Sequence, residues 1–164
     1  MRHLFSLSRN VMETHFISIA LIREVDGPRL RWLAQWKAER FQFDFVSARR
    51  LEKESYRESI TREVAWVLNL SRERDFLVAN TAQINCEFIG RLVGEDQEKH
   101  IAAAFYPIHL YGDRARQQIN ADENSRWVTA DEIYAERTDD GRLFNPVLID
   151  LIRRTRVIQP WEST

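Results

Sequence analysis

Apolar positions change period along the chain, and the changes mark its elements. Phe16-Ile17-Ser18-Ile19-Ala20-Leu21-Ile22 is rich in β-branched and apolar residues and continues to Val25, which predicts a strand. Asp26-Gly27-Pro28 is a turn signal. Leu30 to Lys37 predicts a second strand, with Leu33 apolar and with Trp32 and Trp36 four apart on one face. Phe41-Gln42-Phe43-Asp44-Phe45 alternates strictly, so its three phenylalanines are expected to share a face and pack on the core.

From Glu54 to Leu70 the period becomes helical. Ile60, Val64, Val67 and Leu68 recur at three- and four-residue spacing, with Leu51 just upstream. Ser55 followed three residues later by Glu58 is a capping-box pattern and places the helix start near Ser55. Asn69 suits the left-handed conformation at the helix end. Asn80 to Val93 and His100 to Tyr111 predict two long strands joined as a hairpin across Gly94-Glu95-Asp96, and Gly112-Asp113 ends the second. Arg126-Trp127-Val128 predicts a short strand, and Thr129 caps a short acidic helix at Asp131-Glu132. A last helix is expected from Pro146 through Leu148, Ile149, Leu151 and Ile152. This order predicts an α/β protein: one domain over residues 13–158, a mixed sheet between helices, an N-terminal arm over 1–12 and a loose tail over 159–164.

Composition narrows the function classes. The chain has 164 residues, enough for one sizeable core. Hydrophobic residues make up 44% and charged residues 30%, which fits a globular domain. A net charge of −1, from 24 basic and 25 acidic residues, argues against a nucleic-acid or membrane-surface role carried by bulk charge. No apolar run approaches the roughly 20 residues of a membrane-spanning helix, and Met1 to Asn10 lacks a signal-peptide pattern. That segment reads as a flexible arm, or as residues upstream of a start at Met12. The single cysteine, Cys86, is expected as a packed thiol in a strand, and a cytoplasmic location follows as an expectation. The four histidines show no metal-ligand spacing.

The candidate chemistry lies on the central helix. Glu54 is followed by seven residues and then Arg62-Glu63-Val64-Ala65-Trp66-Val67-Leu68-Asn69-Leu70. Ala48 stands six residues before Glu54, at the end of the strand-like Phe43 to Ala48. Downstream runs Arg126-Trp127-Val128-Thr129-Ala130-Asp131-Glu132. In register and order these pieces resemble the Nudix (MutT-like) hydrolase superfamily, over roughly Thr14 to Arg156. The signature is a glycine, five residues, a glutamate, seven residues, then Arg-Glu-aliphatic-x-Glu-Glu-x-Gly-aliphatic. The resemblance implies an α/β/α sandwich around a mixed sheet. It also implies Mg²⁺-dependent cleavage of a nucleoside diphosphate linked to another group, with carboxylates three and four residues apart gathering the metal.

The signature is degenerate here. Glu63 is kept, but the paired glutamates are replaced by Trp66 and Val67, the first glycine by Ala48 and the late one by Asn69. One carboxylate does not hold a magnesium cluster. The expectation is therefore a Nudix-fold protein without ordinary hydrolase activity, acting as a ligand-binding or regulatory domain, with no cofactor unless an active site retains Mg²⁺. Two alternatives stand beside it. One is a hydrolase with rearranged ligands, drawing on Glu54, Glu58, Glu63 and a loop carboxylate such as Glu123, with Glu63 and Glu123 catalytic and Glu63 the metal ligand. The other is a homodimeric interaction domain. Glu54, Glu58 and Arg62 are expected to be structural, with Glu58 to Arg62 in favourable helix ion-pair order. Trp66 and Val67 read as core filler, or Trp66 as a platform stacking on a base. Arg49 and Arg50, before the helix, are candidates for contacting a nucleotide-like ligand. The basic runs read mainly as solvated faces, so nucleic acid is not an expected partner.

Overall fold

A computed structural model describes residues 13–91 and 96–162 of the chain. The arm expected over 1–12 and the turn expected at Gly94-Glu95 lie outside them. The first strand, β1 (Thr14–Asp26), is the axis of an eight-stranded mixed sheet. It pairs antiparallel with β2 (Arg29–Lys37), and β2 pairs in turn with β3 (Gln42–Asp44). It also pairs antiparallel with the short β4 (Ser47–Arg49). On its other side β1 runs parallel to β7 (Lys99–Leu110), whose far edge carries β5 (Phe76–Val78) and β6 (Ile84–Gly90). The last strand, β8 (Ser125–Thr129), pairs with β2.

Strand alternation gives this sheet two apolar faces. On one face Ile19, Leu21, Trp32, Ala34, Ala103 and Phe105 pack against α3 (Ala130–Tyr134) and α4 (Pro146–Thr155). On the other, Ala20, Ile22, Leu33, Ala104 and Tyr106 pack against α1 (Tyr56–Val67) and α2 (Gly112–Asn120). The result is the expected α/β/α sandwich. Among the described residues no helix is long and apolar enough to cross a membrane.

Local signals set most of the boundaries. The Ser55–Glu58 capping box closes both ways, and Asn69 takes φ 52° just after the C-cap of α1. Thr129 and Glu132 close a second capping box at α3. Trp32 and Trp36 reach the same core, as their spacing requires. Cys86 packs partly buried against that core, and burial pushes its thiol up.

Several expectations need correction. Phe41 is 77% exposed and precedes β3, because its φ of 52° breaks the strand, and only Phe43 and Phe45 enter the core. The strand expected from Asn80 begins at Ile84. Two elements went unread, β5 and α2. The latter begins at Gly112, read only as the end of a strand, and it buries just Ala115 and Ile119 on an otherwise polar helix. In the tail, the Gln159 amide donates to the Glu162 carboxylate at 2.6 Å.

One buried carboxylate ties three of these segments together. Asp75 accepts from the Ser71 amide at 2.7 Å and from Arg114 of α2 at 2.8 and 2.9 Å, and its carbonyl accepts from the Tyr111 amide at 2.8 Å. The Ser71 hydrogen bond, aided by Arg114, holds the carboxyl below the ordinary carboxylate value despite burial. A depressed folded-state pKa gives stability that is fully present above the unfolded value of about 3.9 and is lost as pH falls through the folded value. Asp75→Asn is therefore expected to cost about 2 kcal/mol near neutral pH. In urea unfolding, its gap from the wild type should close as pH falls below about 4.

Candidate functional site

The signature helix is placed by a narrow apolar stripe. Ile60, Val64 and Leu68, four apart, are buried against the sheet. Trp66 lies two residues past Val64, about 200° round the helix, and so faces away. It is 83% exposed, which overturns its reading as core filler; Val67 does pack partly buried against the core.

Arg62 organises what remains of the motif. Its Nε donates to Glu54 Oε1 at 3.0 Å, its Nη1 to Glu63 Oε2 at 3.0 Å, and its Nη2 to the Arg49 carbonyl at 3.3 Å. It turns to these groups rather than to Glu58, whose carboxylate accepts from the Ser55 amide at 2.8 Å in the capping box. The hub pins the loop that precedes α1 against the helix.

Three cavities surround this helix and loop. A shallow one, of about 460 Å³, is lined by Arg62, Glu63, Ala65, Trp66 and Arg72. A second, of about 450 Å³, lies at the C-terminal end of α1, where Val67 and Asn69 face Trp36, Lys37, Asp122 and Asn124. Glu123 is exposed in that last loop. The third, also about 450 Å³, lies between β1, β4 and α4. Ile17, Ile19, Val147, Leu148 and Leu151 form its apolar wall, and Arg40, Asp44, Ser47, Arg49 and Asn145 its polar side. Ala48, at the position of the signature glycine, also lines it.

No family model matches the sequence, and no curated protein matches it. Solved structures do match its fold. A MutT protein from Methanosarcina mazei Go1 superposes with a TM-score of 0.54 at 16% identity, covering 88% of this chain and 94% of that one. A C. elegans Ap4A hydrolase binary complex gives 0.53 at 12%, covering 85% and 93%. Shewanella oneidensis NrtR, complexed with a 27mer DNA, gives 0.58 at 10%, covering 85% of this chain and 59% of NrtR. The chain has the Nudix fold. At these identities the likeness is one of architecture.

Within the Nudix fold the donor set at α1 does not fit magnesium. The ion asks for near-octahedral oxygen ligands. Here Glu54 and Glu63 are both bound by Arg62, Glu58 is spent on the helix cap, and Trp66 and Val67 offer no oxygen. Among the described residues no three His, Cys, Asp or Glu side chains gather to hold a metal.

The cavity beside α4 has a different character. Asn145 caps α4, its side chain accepting from the Val147 amide at 3.0 Å, and donates Nδ2 to Asp44 Oδ2 at 2.9 Å. The Phe45 amide donates to Asp44 Oδ1 at 2.9 Å. Burial nevertheless pushes the Asp44 carboxyl up, outweighing Asn145, Phe45, Lys37 and Arg40. A carboxyl–amide pair against an aliphatic wall presents both a donor and an acceptor to the edge of a polar ring. Arg40 and Arg49 add cationic donors suited to phosphate. Arg50 is placed elsewhere, over the rings of Phe16 at 4.5 Å and Tyr56 at 5.3 Å. Glu63 and Trp66 share one cavity and Arg49 lines another, and Arg62 bonds both Glu63 and the Arg49 carbonyl.

Sequence reasoning missed Asp44, Asn145 and Arg40. Two signals were available: a lone acid inside an aromatic strand, and an Asn before the Pro146 that opens a helix. Their partnership across the fold leaves no local trace. The hub itself yields a test. Arg62→Ala is expected to destabilise the protein by about 1 kcal/mol, since its ion pairs are partly exposed. A double-mutant cycle with Glu54→Gln, followed by urea unfolding, should show non-additivity of about 0.5–1 kcal/mol.

Proposed function

We propose that the protein binds a nucleotide-like small molecule in the cavity between β1, β4 and α4, and that it lacks ordinary magnesium-dependent hydrolysis of nucleoside diphosphates. The observation that carries this reading is the capture of both Glu54 and Glu63 by Arg62. These carboxylates serve the loop–helix junction, while the neighbouring cavity keeps its polar and apolar walls. In this reading Asp44 and Asn145 meet the edge of a base, the aliphatic wall takes its ring, and Arg40 and Arg49 meet phosphate. Binding would bridge β3, β4 and α4, which suits a regulatory domain as well as a carrier.

The test is calorimetric titration with nucleosides, nucleotides and nucleoside diphosphate derivatives. Micromolar binding is expected for the phosphorylated members. Arg40→Ala or Arg49→Ala should weaken them about tenfold, the equivalent of one charge-assisted contact, and should leave a bare nucleoside little changed. Product release with Mg²⁺ or Mn²⁺ is expected to stay at background. Metal-dependent turnover that vanishes on Glu63→Gln would sink the proposal and favour a rearranged site recruiting Glu58 or Glu123.

A further inference from the structure

The parallel strand pair at the centre of the sheet opens at one end. β1 and β7 stay in register from Thr14 opposite His100 to Ile22 opposite Ile108, and there the ladder stops. Past that point β1 pairs with β2, from Arg23 opposite Trp32 to Asp26 opposite Arg29. β7 continues beside β5, to Leu110 opposite Phe76. The two strand ends part, and a cavity of about 340 Å³ lies at the parting. In open α/β sheets, ligands settle where neighbouring strands diverge at their carboxyl ends. This cavity shares no lining residue with the one beside α4.

Its walls divide by chemistry. Ile22, Ile108, Phe76 and Val78 are buried on the α1 side of the sheet, so alternation turns Val25, Pro107, Leu77 and Ala79 to the opposite face. Val25 is 68% exposed and Leu77 49%, which leaves an apolar strip open to solvent. Arg23 of β1 and Arg116 of α2 border the strip, and among the described residues neither has an ion-pair partner. Glu24, the carboxylate in the lining, is bound by Arg31. His109, opposite Leu77, stands edge-on to Tyr111 with ring centroids 5.3 Å apart and adds an imidazole to the rim.

We infer that this cleft binds a medium-chain carboxylate, its alkyl chain along Val25, Leu77, Ala79 and Pro107 and its head at Arg23 and Arg116. Charge decides the head. Two unpaired guanidinium groups beside an apolar strip attract an anion, and a planar carboxylate matches the guanidinium fork. Volume decides the chain. A cavity of about 340 Å³ takes about ten groups of the roughly 30 Å³ that a water molecule occupies. The strip is open on one side, so the chain is only partly withdrawn from water and the binding is modest.

Calorimetric titration of the full chain with sodium decanoate tests this. Saturable binding in the high micromolar range is expected. Decanol, which keeps the chain and lacks the charge, should bind about tenfold more weakly, and acetate, which keeps the charge and lacks the chain, should give no saturable heat. Arg23→Ala and Arg116→Ala should each weaken decanoate about tenfold. Leu77→Asp should abolish its binding by setting a like charge in the strip. Positions 23, 77 and 116 are exposed, so these variants are expected to fold, and far-UV circular dichroism checks that they do. Three outcomes overturn the proposal: no saturable heat with decanoate, decanol binding as tightly as decanoate, or decanoate binding unchanged in both arginine variants.

Discussion

Nine residues of β1, Thr14 to Ile22, lie beside His100 to Ile108 of β7 in parallel, and the rest of the molecule is arranged around that pair. Parallel neighbours cannot be joined by a tight turn. The chain must leave β1, build β2 to β6 and α1, and only then return. Because the pair is covered on both faces, β1 reads as a continuous apolar run, with Ile19 and Leu21 facing one core and Ala20 and Ile22 the other. The short β4 pairs with the same strand, which brings the loop before α1 to the mouth of the cavity.

That placement accounts for how α1 and the loop before it are held. Ile60, Val64 and Leu68 hold α1 on the sheet, and Arg62 fastens the preceding loop. None of this needs a metal. Position 66 faces away from the sheet, so Trp66 extends into solvent without disturbing the helix beneath it, while Val67 keeps a partial contact with the core.

What the sequence disclosed follows the range of the interactions involved. Period, caps and turns act over a few residues, so β1, β2, α1 and α4 were legible, as were the Ser55–Glu58 capping box, the Thr129 cap and the left-handed Asn69. The helix α2 was not, since two buried residues on a polar segment make too thin a stripe to register. Phe41 misled because alternation says nothing about a positive φ. Trp66 misled because its size suggested burial, whereas the helical angle from Val64 decides the matter. The Asp44–Asn145 pair was beyond reach, as only the folded topology brings those residues together.

The hydrogen bond between Asp44 and Asn145 spans 101 positions. One wall of the cavity belongs to strands made early, the other to a helix that follows all eight strands in the chain. As a ribosome delivers the protein from its N-terminus, the sheet's first strands emerge long before α4 exists to face them. Until then Asp44 has no amide partner and the aliphatic wall has no second side. The pocket is thus a late product of synthesis, closed only once α4 has emerged behind all the strands.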